Sequence, residues 1–229
     1  MTQSTPGRPQ AAIVAAGPLF LLAALAYHPF IANLTDKASV AGAATADTNR
    51  WALAHIAVGL GAGLLLAALL AMCSFLRNAG EHRRSSAAVP FLAVGTTLFA
   101  FLPAMETAMG AASLAGADAL AVQSEIDVWF VPILIASSLA FAIGLMYLAV
   151  GVVESRIFDR KLTALVAGAL VTMAVTRFVP LGAALYLGGV AGVVALLPVA
   201  ARIWNAVPVP GPGKRSALSP TGSLPTSGG

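Results

Sequence analysis

The chain has 229 residues, of which 59% are hydrophobic and 10% charged, and its formal net charge is +4. Soluble domains carry about a quarter charged residues, so this composition excludes a water-soluble globular domain and indicates an integral membrane protein. In a membrane protein the excess positive charge belongs in cytoplasmic loops, so it indicates no nucleic-acid partner.

Six apolar segments are predicted to cross the membrane. A helix rises about 1.5 Å per residue, so about 20 apolar residues cross the hydrocarbon core. The predicted spans are residues 11–31, 51–76, 87–105, 128–153, 162–178 and 183–204. We therefore predict an all-α integral membrane bundle of six transmembrane helices over residues 11–204. Residues 1–10 are predicted to form a flexible N-terminal tail, and residues 205–229 a disordered tail rich in Pro, Gly and Ser.

The connections between the spans leave alternatives open. Residues 32–50 are predicted to form a polar loop or a short surface helix, and the small residues after Glu106 either extend the third helix or lie along the interface. Asp127 directly precedes the fourth span and is predicted to cap it. A cleaved signal peptide is the alternative for the first span, although that segment is long and only Arg8 precedes it.

Lysine and arginine alternate between the two predicted sides of the membrane. The N-terminal tail, the loops after the second and fourth spans, and the C-terminal segment together carry 10 of the 13. The other connections carry Lys37, Arg50 and Arg177. Because cytoplasmic loops are enriched in these residues, the distribution predicts that both termini are cytoplasmic.

A group of ionisable residues lies within about two helical turns of the predicted outer ends of the spans. The group comprises His28, His55, Glu106, Glu125, Asp127 and Arg177. Charged groups at membrane depth are costly and usually face the bundle interior. We therefore predict that His28, His55, Glu106 and Arg177 form a polar intramembrane site.

Each of these residues also has a simpler interpretation. The two histidines would reach water at the membrane interface, and Glu106 would be an ordinary loop acid. Glu125 and Asp127 are expected to stabilise the N-terminus of the fourth helix. Arg177 either extends to the outer surface or pairs with a buried carboxylate, for which Glu106 is the candidate.

Two sets of glycines are predicted to pack helices together. His55, Gly59 and Gly63 recur every four residues, so we place them on one face of the second span, directed at neighbouring helices. Gly188 and Gly192 are likewise four residues apart in the sixth span and are predicted to form a second packing face.

Motifs for catalysis are missing from the sequence. It contains no HExxH helix, paired C-x-x-C, phosphate loop or G-x-S-x-G elbow, so no enzyme class is indicated. Two cofactor hypotheses remain: a haem held by His28 and His55, or a metal ion held by these two residues and Glu106. Their spacing specifies neither, and no cofactor is predicted. The single cysteine, Cys73, excludes a disulfide within the chain.

The region around the second span carries a family resemblance. The first span ends in HPF at residues 28–30, an outer loop rich in Ala and Asp follows, and RWALAH at residues 50–55 opens a second span rich in Leu, Gly and Ala. This pattern resembles uncharacterised bacterial six-helix membrane proteins catalogued as domains of unknown function. The resemblance covers mainly residues 20–80. It implies the same topology and a plasma-membrane location, but no activity and no functional residues.

Three functions are therefore compatible with the sequence. The first is a structural or accessory membrane component, with the lipid bilayer and a membrane-protein partner or second copy as its contacts. The second is a small-solute transporter or binder with a polar pocket near the outer leaflet. The third is a haem- or metal-binding membrane protein. We expect the first.

Overall fold

The computed structural model describes residues 7–206, whose regular secondary structure consists of seven α-helices. They are α1 (Arg8–Tyr27), α2 (Lys37–Ala46), α3 (Thr48–Asn78), α4 (Arg83–Leu114), α5 (Ala119–Ser155), α6 (Arg160–Thr176) and α7 (Gly182–Ala206). Helix α1 thus includes residues 8–10 of the predicted N-terminal tail, and α7 includes residues 205 and 206 of the predicted C-terminal tail. Residues 1–6 and 207–229 of the predicted tails lie outside the described residues.

Five of the helices, α1, α3, α4, α5 and α7, are long and apolar enough to cross a membrane. This confirms the predicted all-α fold and agrees with a helical membrane bundle. Helix α6 coincides with the fifth predicted span, but its 17 residues extend only about 26 Å, somewhat less than a typical hydrocarbon core.

Of the two alternatives stated for residues 32–50, a polar loop or a short surface helix, the structure shows a helix, α2. The Asp36 side chain caps it by accepting a hydrogen bond from the Ala38 backbone N–H. The Ser39 hydroxyl and backbone N–H also donate to Asp36, which lowers the pKa of that carboxyl below its usual range. One residue after α2, the Asp47 side chain accepts from the Arg50 N–H and begins α3.

The connection between α4 and α5 is much shorter than predicted. Helix α4 continues through the small residues to Leu114, as one of the two alternatives stated, and α5 begins at Ala119. Asp118 caps α5 by accepting from the N–H groups of Leu120 and Ala121. The prediction that Asp127 caps this helix is therefore wrong, because Asp127 lies inside α5.

Six helices form a closed ring, and α2 packs outside it. In chain order each of α1, α3, α4, α5, α6 and α7 packs on the next, and α7 returns to pack on α1. The main hydrophobic core lies among these helices and receives buried side chains from all six. Ring closure also joins the two ends of the described chain, because the Arg8 guanidinium lies 5.3 Å from the ring centroid of Trp204.

The ring has two chemically different ends. We call the end that carries the α3–α4 and α5–α6 connections and both ends of the described chain the basic end. Its ion pair is Arg84 with Glu154, at 3.1 Å. We call the other the histidine end. There the segment after α1 meets the α6–α7 turn: the Leu34 N–H donates to the Pro180 carbonyl at 3.0 Å, and Asn33 and Leu181 form an isolated antiparallel β-bridge.

The glycines that allow close helix packing in α3 are not the predicted ones. A Cβ at Gly63 would meet nothing within 4 Å, and one at Gly59 would make only an ordinary contact with Pro103. Instead, a Cβ at Gly61 would lie 3.0 Å from Leu21 Cα of α1. The prediction that Gly59 and Gly63 form the packing face is therefore wrong.

The predicted glycine face of α7 does contact neighbouring helices. A Cβ at Gly188 would lie 2.7 Å from Thr176 Oγ1 of α6, and one at Gly192 would lie 3.4 Å from Met173 Cε and 3.6 Å from Pro18 Cβ of α1. These two glycines therefore lie where α7 packs between its neighbours in the ring.

Candidate functional site

The four residues predicted to form one polar site occupy separate places. His28 and His55 contact each other at the histidine end. Glu106 lies near them, because its backbone carbonyl accepts a hydrogen bond from Trp51, which packs on both histidines. Its carboxylate is directed at α5. Arg177 reaches into the centre of the ring.

The two histidines face each other edge to face. His28 follows the last residue of α1, where Pro29 cannot continue the helix, and His55 lies in the second turn of α3. Their Nε2 atoms are 3.2 Å apart, and the ring planes are inclined by 68°. The Nδ1 atom of His28 lies 2.7 Å from the Pro29 carbonyl, and that of His55 lies 2.8 Å from the Trp51 carbonyl.

Trp51 supports both imidazoles and is not among the predicted site residues. Its side chain is only 1% exposed, and its ring centroid lies 4.2 Å from that of His55 and 5.5 Å from that of His28. The indole N–H donates to the Glu106 carbonyl oxygen at 2.8 Å. Its position one helical turn before His55 is the sequence signal that could have identified it.

A polar chain leads from Glu106 to the surface. Glu106 is buried, and its Oε2 has no hydrogen-bond partner within the described residues. Its carboxylate has Gln123 and Asp127 of α5 as polar neighbours. Gln123 donates to Asp127 at 2.9 Å, and Asp127 pairs with Lys37 of α2 at 2.7 Å. Gln123 is also absent from the predicted site, because a single glutamine in a long connection gives no sequence signal.

Glu106 therefore does not complete a metal site with the histidines. Within residues 7–206 no group of three or more His, Cys, Asp or Glu side chains is arranged to hold a metal ion. The hypothesis that all three of His28, His55 and Glu106 bind one metal ion is therefore wrong.

The arrangement of the histidines also does not fit haem. Two axial imidazoles bind iron from opposite faces of the porphyrin. With metal–nitrogen bonds of about 2.0–2.1 Å, their Nε2 atoms must lie about 4 Å apart, with the macrocycle between them. The observed separation of 3.2 Å leaves no space for a porphyrin between His28 and His55.

Arg177 directly follows α6 and turns inward. Its guanidinium carbon lies 4.0 Å from the ring centroid of Phe99 and 5.7 Å from that of Phe141. Phe99 lies seven residues before Glu106, so Arg177 is held about 10 Å deeper along α4 than that carboxylate. The alternative in which Arg177 pairs with Glu106 is therefore wrong; Arg177 is half-buried, and its guanidinium packs on Phe99.

The Arg177 guanidinium has no acidic partner in the described part of the chain. The ion pairs found there are Lys37 with Asp127 and Arg84 with Glu154. The Nε atom of Arg177 is buried and makes no hydrogen bond to any described residue. Residues 1–6 and 207–229 contain no Asp or Glu side chain.

Arg177 borders a cavity at the centre of the ring. The cavity has a volume of about 70 Å³ and is lined by residues from all six ring helices. Most lining side chains are apolar, among them Leu21, Leu65, Phe99, Phe141, Met173 and Leu185. The polar exceptions are Arg177, Thr96 and Thr176, and the buried Thr96 hydroxyl has no hydrogen-bond partner among the described residues. The cavity thus combines apolar walls with one cationic group.

Comparison of the chain with protein-family models, with curated proteins and with solved structures gave no match. The resemblance to bacterial six-helix proteins stays a prediction, and the function is argued from the geometry of these sites.

Proposed function

We propose that this chain is a six-span plasma-membrane protein that binds a small solute with an anionic group and an apolar body in its central cavity. The observation that carries the proposal is the inward-facing Arg177 guanidinium, which borders the cavity without a carboxylate partner in residues 7–206.

A cation in an apolar interior needs compensation. The contact with Phe99 supplies part of it, about 0.5–2 kcal/mol for a cation over an aromatic face. Hydrogen bonding remains incomplete, since the guanidinium has five N–H donors and Nε has no protein acceptor in the described chain. A carboxylate or a similar planar anion would accept two of these hydrogen bonds at once and would neutralise the charge.

The rest of the cavity favours an apolar body on that anion. Leucine, methionine and phenylalanine side chains form most of its wall, and burying apolar ligand surface against them is favourable. The free Thr96 hydroxyl offers one additional hydrogen bond.

Helix packing supports six spans, with both termini on one side. Helix α6 fills the ring position between α5 and α7 just as the longer helices fill theirs, and Arg8 contacts Trp204 at the basic end. That end carries most of the arginines and lysines, which supports a cytoplasmic location for it.

The function is tested by ligand binding to the full-length protein in lipid nanodiscs. The probes are benzoate and hexanoate, each compared with its neutral amide. We expect saturable 1:1 binding of at least one anion and much weaker binding of its amide. Since a hydrogen bond to a charged group contributes about 1.5–3 kcal/mol, Arg177→Gln should weaken anion binding roughly tenfold to hundredfold.

Arg202→Gln is the matched control, because Arg202 is exposed on α7. This variant should bind the anions as the parent does. If neither anion binds saturably, or if Arg177→Gln binds them as tightly as the parent, the proposed function is wrong.

The topology is tested separately by cysteine labelling in a Cys73→Ala background. Single cysteines at Ala46 and Gly116, which lie at the histidine end, should react with an impermeant maleimide added to intact cells. A cysteine at Gly80, at the basic end, should react only after permeabilisation. Labelling of the Gly80 position in intact cells would contradict the proposed orientation.

A further inference from the structure

The hydrogen-bonding atoms of His28 and His55 form a line of three short contacts. At the two ends of this line, the Nδ1 atom of each histidine faces a backbone carbonyl oxygen. Because a carbonyl oxygen only accepts hydrogen bonds, each Nδ1 must carry a proton and donate it. A neutral imidazole has one N–H proton, and that proton is then used at Nδ1. Both Nε2 atoms are therefore left with lone pairs that face each other across 3.2 Å.

Two lone pairs at this distance repel each other unless an electrophile lies between them. The same tautomer is the one found in metal-binding histidines, in which the second ring nitrogen donates to a backbone carbonyl or a carboxylate and so fixes the ring orientation. Here both histidines have this outer hydrogen bond, which leaves both Nε2 atoms ready to act as ligands.

The separation of the nitrogens also fits a shared metal ion. Bonds of about 2.0–2.1 Å from each Nε2 to one ion, with the nitrogens 3.2 Å apart, give an N–metal–N angle of about 100–105°. This is close to the angle of tetrahedral coordination, which is the usual geometry of zinc and is common for other d¹⁰ ions.

We propose that His28 and His55 bind one Zn²⁺ or Cu⁺ ion through their facing Nε2 atoms. Both ions accept imidazole ligands. Because no third His, Cys, Asp or Glu of residues 7–206 joins the pair, water or an exogenous ligand completes the coordination. The site is therefore exchangeable, unlike a closed structural zinc site.

The surroundings hold the pair in place, and a small cavity adjoins His28. Trp51 packs against both rings, and its indole N–H is itself fixed by the Glu106 carbonyl. His28 also lines a small second cavity together with Pro29 and residues of the α6–α7 region. This cavity has a volume of about 10 Å³, which is room for about one water molecule beside His28. The proposed ion site is separate from the Arg177 cavity, which neither His28 nor His55 lines.

Metal binding is measured on the full-length protein, purified through an affinity tag that contains no histidine. The chelator-treated protein receives two equivalents of Zn²⁺ or, under reducing conditions, of Cu⁺. It is then desalted and analysed by mass spectrometry for metal content. We expect one equivalent of at least one of these ions to be retained. X-ray absorption of that sample should show two imidazole ligands at about 2.0–2.1 Å.

The third histidine supplies the matched control. His82 is exposed at the basic end, so His82→Gln should retain the ion, whereas His28→Gln and His55→Gln should reduce it to background. The proposal is overturned if the parent retains neither ion, if the double variant retains it, or if His82→Gln loses it. The absorption measurement on the parent decides the question if a variant fails to fold, because it directly shows whether two imidazoles bind the ion.

Discussion

The closest contact between α4 and α5 gives the sharpest test of the fold. A Cβ placed on Gly95 of α4 would meet the backbone of Phe141 of α5, with the Phe141 nitrogen closest and its Cα at 2.8 Å. Ordinary Cβ contacts begin at 3.4 Å, so Gly95→Ala requires the two helices to separate by at least 0.6 Å. Backbone atoms cannot move aside as a flexible side chain would, so the whole helix pair must shift.

The free-energy cost of this shift is obtained by comparing Gly95→Ala with the same substitution at a glycine that has no close neighbour. Replacement of glycine by alanine within a helix gains up to about 1 kcal/mol of helix propensity. Gly63→Ala has this gain without a clash, because Gly63 is on the exposed face of α3 and a Cβ there would have no neighbour within 4 Å. The difference between the two variants therefore reports the steric cost alone, which for an overpacked interior is about 1–3 kcal/mol.

For a chain of this length, 1 kcal/mol corresponds to a Tm change of about 2–4 °C. We therefore expect Gly95→Ala to unfold about 2–12 °C below Gly63→Ala when both are heated in the same detergent and followed by tryptophan fluorescence. If Gly95→Ala proves as stable as Gly63→Ala, α4 and α5 do not approach at Gly95, and the placement of Phe141 beside the Arg177 cavity is incorrect.

Three further variants test other contacts in the same unfolding assay. Gly61→Leu should lower Tm by several degrees more than Gly59→Leu, because the α1 backbone approaches only Gly61, and equal effects would contradict this packing. Trp51→Phe removes the hydrogen bond to the Glu106 carbonyl and should cost about 1–2 kcal/mol; an unchanged Tm would mean that water replaces the indole. Lys37→Ala breaks a partly exposed ion pair and should cost less than about 1 kcal/mol, and a larger loss would indicate that α2 anchors the fold.

Much of the architecture follows from hydropathy, because runs of apolar residues and the charges between them are strong signals. Local capping signals are less specific. Asp118 and Asp127 both precede apolar residues, and the sequence alone favours the one next to the more hydrophobic run. In the structure the earlier aspartate caps α5, because the following residues through Asp127 are also helical and pack against α2.

The error over the glycine face of α3 has a geometric cause. Residues four apart on a helix are rotated by about 40° with respect to each other, so Gly63 lies about 80° from His55. The buried residues of α3 instead recur at intervals of three and four, through Ala54, Val58 and Gly61. A series of residues spaced by four therefore turns away from the packed face of α3: His55 is buried, Gly59 is half-buried and Gly63 is exposed.

The candidate sites depend on helix order, which the sequence does not specify. The alternative in which Glu106 pairs with Arg177 rests on their common position near one membrane surface. Around the ring, however, α5 lies between α4 and α6, and Arg177 reaches α4 only deeper, at Phe99. The two histidines do meet, because α1 and α3 are neighbours and both residues lie near the same end of these helices.

The closure of the ring by α7 has a consequence for biogenesis. Membrane helices insert first and associate afterwards, and of the seven described helices α7 is synthesised last. Until it arrives, the sides of α1 and α6 that it covers face lipid, and the wall formed by Leu185, Gly188 and Gly189 is missing from the cavity. A nascent chain that ends before Gly182 therefore contains His28, His55, Glu106 and Arg177 but has a central cavity that is open on the side of α7.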